Sequence, residues 1–146
     1  MGPIGVDIRG EANMLRVLNS ISERHQKRLV RPALRAGGSE LSKSIKRHAP
    51  VDTGTLKKSI GVKPAKAFRK NPNVLYVAVG ARRGFERPVV RRGRAEIARP
   101  TKYAHLAEKA TRFQERGVAS AIPMARAKIV ANLRRGIARD FTKGRI

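Results

Sequence analysis

The segment Ala49-Pro50-Val51-Asp52-Thr53-Gly54-Thr55-Leu56-Lys57-Lys58-Ser59-Ile60 constrains this chain more than any other, because it forces a change of direction at a fixed place. Pro50 cannot extend the helical pattern before it, and its ring pushes Ala49 out of the helical region. Asp52 and Thr53 have short polar side chains suited to bonding nearby backbone, and Gly54 tolerates positive φ. Leu56, Ile60 and Val62 then fall at even spacing, which puts them on one face of an extended strand. Pro50, Asp52, Thr53, Gly54, Leu56 and Ser59 read as one structural motif: helix stop, tight turn, strand start. Nothing in it resembles a catalytic constellation.

Hydrophobic period assigns the flanking elements. Ile4, Val6 and Ile8 alternate as in a short strand over residues 3–9. From Glu11 onward Met14, Leu15, Leu18 and Ile21 recur at three- and four-residue steps, the period of an amphipathic helix. A second helical stripe runs through Leu29, Ala33, Leu41 and Ile45, with Pro32 suited to its first turn. Gly37-Gly38 interrupts that stripe at about 1 kcal/mol per glycine relative to alanine. A kink and a close approach by another backbone both account for it. Past the joint, strands are expected over 56–63 and 74–81. The second is apolar on both faces, which predicts a central position in a sheet. Residues 63–73 between them read as a loop or a splayed hairpin end. Residues 103–110 fit strand and helix equally. From about Ile122 to Phe141, Ala125, Ile129, Leu133 and Ile137 repeat every fourth residue, a final helix with Pro123 in its first turn.

This order predicts an α+β fold: N-terminal helices and a C-terminal helix packed on a small, mainly antiparallel β-sheet, within a single domain over 1–146. Leu, Ile, Val and Phe number 35 of 146 residues, enough for one modest core. Cysteine is absent, which excludes disulfides and thiolate metal sites. No apolar run approaches the roughly 20 residues that span a bilayer, so no membrane role is expected.

Lysine and arginine number 34 against 10 acids, a net charge of +24, and arginine outnumbers lysine 22 to 12. That imbalance repels itself in a compact fold and calls for an anionic partner, most often nucleic acid. The charge is densest over 82–102, where Arg82, Arg83, Arg87, Arg91, Arg92, Arg94, Arg99 and Lys102 face only Glu86 and Glu96. Gly84, Pro88, Gly93 and Pro100 punctuate this segment, which reads as a long basic loop or hairpin arm. A guanidinium fork suits phosphate through paired, charge-assisted hydrogen bonds. Such contacts carry affinity without base information, so binding to double-stranded DNA would be sequence-non-specific. His25, His48 and His105 sit in separate segments with no ligand spacing, so no metal or cofactor is expected. No nucleophile–base pair or phosphate loop is evident, and an enzyme is not expected. A basic ribonuclease using Arg or His with Tyr76 or Tyr103 is the weakest reading. Asp52 suits a backbone cap, and Glu108 an ion pair with a basic neighbour.

The run from Ala49 to Ile60 resembles the "aPvdTGxLrrSi" signature of the gene-product-ten-like tail component of HK-type siphophages, a head–tail joining protein. Tyr103-Ala104 with Glu108 resembles that family's "YAxxxExGT" segment, although Ala110-Thr111 stands where Gly-Thr is usual. Residues Pro123 to Ala127 resemble the start of its last helix, with Met124 in place of Phe. The resemblance spans roughly residues 11 to 140. It implies a virion structural protein, a ring-forming homo-oligomer at the head–tail junction. Such a subunit would contact other neck, connector and tail proteins around a DNA channel, and would be assembled in the host cytoplasm. A free nucleic-acid-binding protein is the alternative, which explains the charge but not the turn signature.

Overall fold

The helix before Pro50 ends where the proline requires. In a computed structural model of the chain, describing residues 16, 19, 21–51, 54–64, 66–69 and 71–144, helix α1 (Glu23–His48) stops one residue short of Ala49. Ala49 is extended (φ −64°, ψ 132°) and donates its N–H to Ile45 O at 2.9 Å. Gly54 takes φ 71°, the left-handed conformation its lack of a Cβ permits. Asp52, Thr53, the strand expected over 3–9 and the helical stripe at Met14, Leu15 and Leu18 lie outside the described residues.

A correction follows directly after Gly54. The residues there form a helical turn, α2 (Thr55–Ser59), before the chain extends as β1 (Ile60–Val62). The four-residue step from Leu56 to Ile60 satisfies a helix as well as a strand. The turn wins because it buries Thr55, Leu56 and Ser59 together, with the Ser59 hydroxyl donating to Leu56 O at 2.7 Å. The chain continues through β2 (Lys66–Phe68), β3 (Asn71–Tyr76), β4 (Val79–Ala81), β5 (Arg87–Arg91), β6 (Arg94–Ala98), α3 (Pro100–Thr111) and α4 (Phe113–Thr142). Among the described residues the three ladders are two-stranded and antiparallel: β1–β4, β2–β3 and β5–β6.

The expected central strand over 74–81 is therefore split and, among the described residues, has no strand on its second side. β3 and β4 return along β2 and β1 as one bent hairpin. Ile60 lies opposite Ala81, Lys63 N–H bonds Ala78 O at 2.9 Å, and the register slips between Ala67 and Phe68. One apolar face covers α1, since Val62, Val77 and Val79 crowd Gly38. The other remains open, with Val74 and Tyr76 exposed. Within the segment over 63–73, β2 and the start of β3 pair as an irregular hairpin end.

The core lies between α1 and α4, which run antiparallel and meet along rows of every fourth residue. On α4 the row Phe113, Gly117, Ala121, Ala125, Ile129 and Leu133 is buried; on α1 it includes Leu29, Ala33, Gly37 and Ile45. Small residues occupy the closest points. A Cβ on Gly37 would lie 2.5 Å from Ile129 Cγ1, and one on Gly117 would lie 2.6 Å from Ile45 Cα. Gly37-Gly38 thus marks close approach, by α4 on one side and the hairpin on the other, within an unbroken helix.

Two proline readings are corrected. Pro32 and Pro123 lie inside α1 and α4, not in their first turns, and α4 starts at Phe113 rather than near Ile122. Both prolines are exposed, so water can reach the carbonyls that lose their donors.

α3 and α4 meet at Arg112 (φ 49°), and Glu108 fastens the corner. Its carboxylate accepts the backbone N–H of Gln114 at 2.7 Å and of Glu115 at 3.2 Å. It caps α4 instead of forming the expected ion pair, which satisfies orphan donors and complements the helix dipole. Glu108→Ala is expected to cost about 1–2 kcal/mol in urea unfolding, and Glu108→Gln less, because one amide oxygen still accepts.

Candidate functional site

The arginine-rich segment folds as a β-ribbon. Arg87 pairs with Ala98, Val89 with Glu96 and Arg91 with Arg94, leaving Arg92 and Gly93 as a two-residue turn. Both take positive φ, 50° and 75°, as a type I′ turn requires. Arginine is strained there, where asparagine or glycine is favoured. Arg91 facing Arg94 adds like-charge repulsion across the strands. Three arginines are concentrated at the tip against the local preference of the hairpin.

The base of the ribbon is fixed to the body. Arg99 Nε pairs with Glu86 Oε1 at 2.7 Å, and buried Pro100 then starts α3. Arg82 packs over the Phe85 ring at 5.3 Å and donates to Ser59 O and Lys58 O, both at 3.4 Å. The eight basic residues of the segment consequently separate. Arg82 and Arg99 serve the fold, and Lys102 sits in the first turn of α3, off the ribbon. Arg83 lies in the preceding turn, and Arg87 is half-buried at the base. Arg91, Arg92 and Arg94 form the exposed tip.

Strand alternation gives the ribbon two unlike faces. Arg87, Val89, Arg91, Arg94, Glu96 and Ala98 share the first, which turns toward the body at its base. Pro88, Val90, Ala95 and Ile97 share the second, where Val90 is 73% and Ile97 61% exposed. On the first face the charge reaches α3. Burial pushes the Tyr103 phenol above its ordinary pKa, and the Arg91 guanidinium pulls it part of the way back. Arg91→Ser is expected to move the Tyr103 titration upward in an ultraviolet titration, because the cation that lowers it is gone.

A second cluster is invisible in the sequence. Asp140, fully buried near the end of α4, pairs with Arg28 of α1 (Nη2 to Oδ2, 2.6 Å), and Arg139 Nε lies 3.6 Å from its other oxygen. Only the antiparallel helix packing brings positions 28 and 140 together. The histidines stay apart, and His48 Nδ1 lies 3.0 Å from Ser44 O in the last turn of α1. Among the described residues no group of His, Cys, Asp or Glu could hold a metal ion, and no helix is long and apolar enough to cross a membrane.

The family described as the bacteriophage HK97-gp10 tail component matches residues 12–109 of this sequence. The chain belongs to that family. In this HK97-gp10-like tail component the match takes in α1, the joint after Pro50, both hairpins and α3 as far as Lys109, and α4 lies beyond it. No curated protein and no solved structure matches the chain. Within the matched span the joint has a packing role. Ala49, Leu56 and Ile60 form one buried cluster with Ile45, Ala104 and Phe113, so the motif ties α1, α2, β1, α3 and α4 into one core. Of the two shorter resemblances, Tyr103-Ala104 with Glu108 falls inside the matched residues, and Pro123 to Ala127 outside.

Proposed function

We propose that this HK97-gp10-like tail component is a ring-forming subunit of the phage head–tail connector, joining capsid to tail around the channel through which the genome passes. The virion role rests on family membership. The finer reading rests on one observation: a ribbon with a charged tip and a separate, exposed apolar face. A two-stranded ribbon is marginal alone in water, and its open face of Pro88, Val90, Ala95 and Ile97 suits burial against a neighbouring subunit. Subunits of +24 charge repel one another, so closing a ring calls for anionic compensation. Double-stranded DNA in the channel supplies it without base contacts, through Arg91, Arg92 and Arg94. Acidic connector and tail proteins above and below supply the rest.

Electron microscopy of the purified protein, alone and with portal and tail components, tests assembly. Closed rings are expected, and Val90→Asp should disperse them while leaving the fold intact. Strictly monomeric particles that bind neither component would refute the reading. The DNA-facing role has a separate test. Replacing Arg91, Arg92 and Arg94 by serine is expected to lower duplex affinity. Its salt dependence should flatten by about 0.9 in log–log slope for each phosphate no longer neutralised. An unchanged slope would remove the tip from the DNA path.

A further inference from the structure

We propose that the end of the α1/α4 pair remote from the ribbon carries a second polyanion-binding surface, built by Arg24, Arg28, Arg31, Arg35 and Arg139 around buried Asp140, which takes the phosphate backbone of double-stranded DNA. Steps of four, three and four residues place Arg24, Arg28, Arg31 and Arg35 on one face of α1. The row is about 16 Å long at the helical rise. Leu29, Ala33 and Gly37, away from the row, are locked against α4; all four arginines are exposed, and Arg28, at the edge of the row, reaches round to Asp140 of α4.

Asp140 makes this more than a solvated charged face. The carboxylate is fully buried, yet the two guanidiniums it holds belong to side chains 45% and 60% exposed. One carboxylate cannot neutralise two guanidiniums, and each guanidinium carries five N–H donors, more than this contact can use. Arg28 is thus anchored from below by its hydrogen bond to Asp140, with Arg139 beside it, the preorganisation that makes arginine effective toward phosphate. The other acids along α1 are already taken, Glu23 by Lys27 and Glu40 by Lys43.

Charge density favours duplex DNA as the partner. Duplex DNA carries one charge per roughly 1.7 Å of axis, both strands counted, so about 16 Å of it carries about nine. A single strand would want a track of exposed rings. Among the described residues of α1 and α4, Phe141 is the one exposed Phe, Tyr or Trp ring. The cluster lies about 25 Å along α1 from Ile45, taking about 17 residues at the helical rise. Ile45 shares a cluster with Tyr103, the ribbon's neighbour. The proposal therefore stands whether or not the ribbon touches DNA.

The test uses the full chain and a short mixed-sequence duplex, with binding followed by fluorescence anisotropy across a salt series. Arg24→Gln, Arg31→Gln and Arg35→Gln together keep helix propensity and spare the Arg28–Asp140 pair, and circular dichroism confirms the fold. Affinity should fall about tenfold or more, and the log–log salt slope should flatten by about 2–3. A matched control, Lys57→Gln, Lys58→Gln and Lys109→Gln, removes the same charge from exposed positions elsewhere and should change little. Equal losses in both triple variants would mean that only net charge matters, and an unchanged slope in the arginine variant would equally overturn the surface. A loss confined to poly-glutamate or to a single-stranded oligonucleotide would assign it to another partner and overturn the duplex reading. The serine variant at the ribbon tip, measured alongside, decides the ribbon's role independently.

Discussion

Gly117→Ala is expected to cost at least about 3 kcal/mol, the upper part of the range for overpacking a close-packed site. The added Cβ would stand 2.6 Å from Ile45 Cα and 2.9 Å from Ile45 N, so backbone must move and no flexible side-chain end can yield. A loss of that size lowers the melting temperature by roughly 10 °C for a chain of this length. Gly136→Ala is the informative contrast. There the nearest atom is Leu29 Cδ2 at 2.9 Å, the far end of a mobile side chain. The change should be close to neutral, since up to about 1 kcal/mol of helix propensity offsets the shift of Leu29. Thermal unfolding of the two variants side by side checks the helix approach. Equal stability would mean that α1 and α4 do not pack this closely at Ile45.

What is legible in the sequence follows from which signals are local. Pro50 stops a helix whatever surrounds it, and Gly54 offers positive φ to any turn; both behave as the residues alone require. The stripe Ala125, Ile129, Leu133 and Ile137 likewise declares a helix, with the first three buried and Ile137 packed beside them. Sequence reasoning fails where a spacing serves two structures. Leu56 and Ile60 satisfy a helical turn as readily as a strand, and tertiary burial of Thr55 and Ser59 decides between them. The two-faced strand over 74–81 reads as central only if both faces are covered, and one of them is open. Gly37-Gly38 reads as a weakness in one dimension because its partners, Ile129 and Val77, lie far along the chain.

The site divides in the same way. Composition alone points to a polyanion and to the segment 82–102, yet it cannot distinguish arginines that meet a partner from arginines that hold the fold. Arg82 and Arg99 belong to the second kind, through Phe85 and Glu86, and the alternation of β5 and β6 separates a charged face from an apolar one. The capping role of Glu108 needs the α3–α4 corner, where two backbone N–H groups point at one carboxylate. The Arg28–Asp140 pair links residues 112 apart in sequence, beyond any motif.

That pair sets the last expected result. Arg28→Met removes a partner of a carboxylate that has no exposure, and an uncompensated buried charge is costly. Because the Arg28 side chain is 45% exposed and Arg139 remains nearby, the loss should be about 2–3 kcal/mol, below the roughly 3–5 kcal/mol of fully buried pairs. Asp140→Leu works in the other direction. It removes the buried charge itself and leaves Arg28 free to hydrate, so it should cost less than about 1 kcal/mol. The double variant should then recover most of the stability that Arg28→Met alone removes, a coupling of about 2 kcal/mol between positions that touch directly. Urea unfolding of the four chains measures it. If Arg28→Met is no more damaging than Asp140→Leu, the carboxylate is reached by water, and the seal at that end of the helix pair is looser than its complete burial implies.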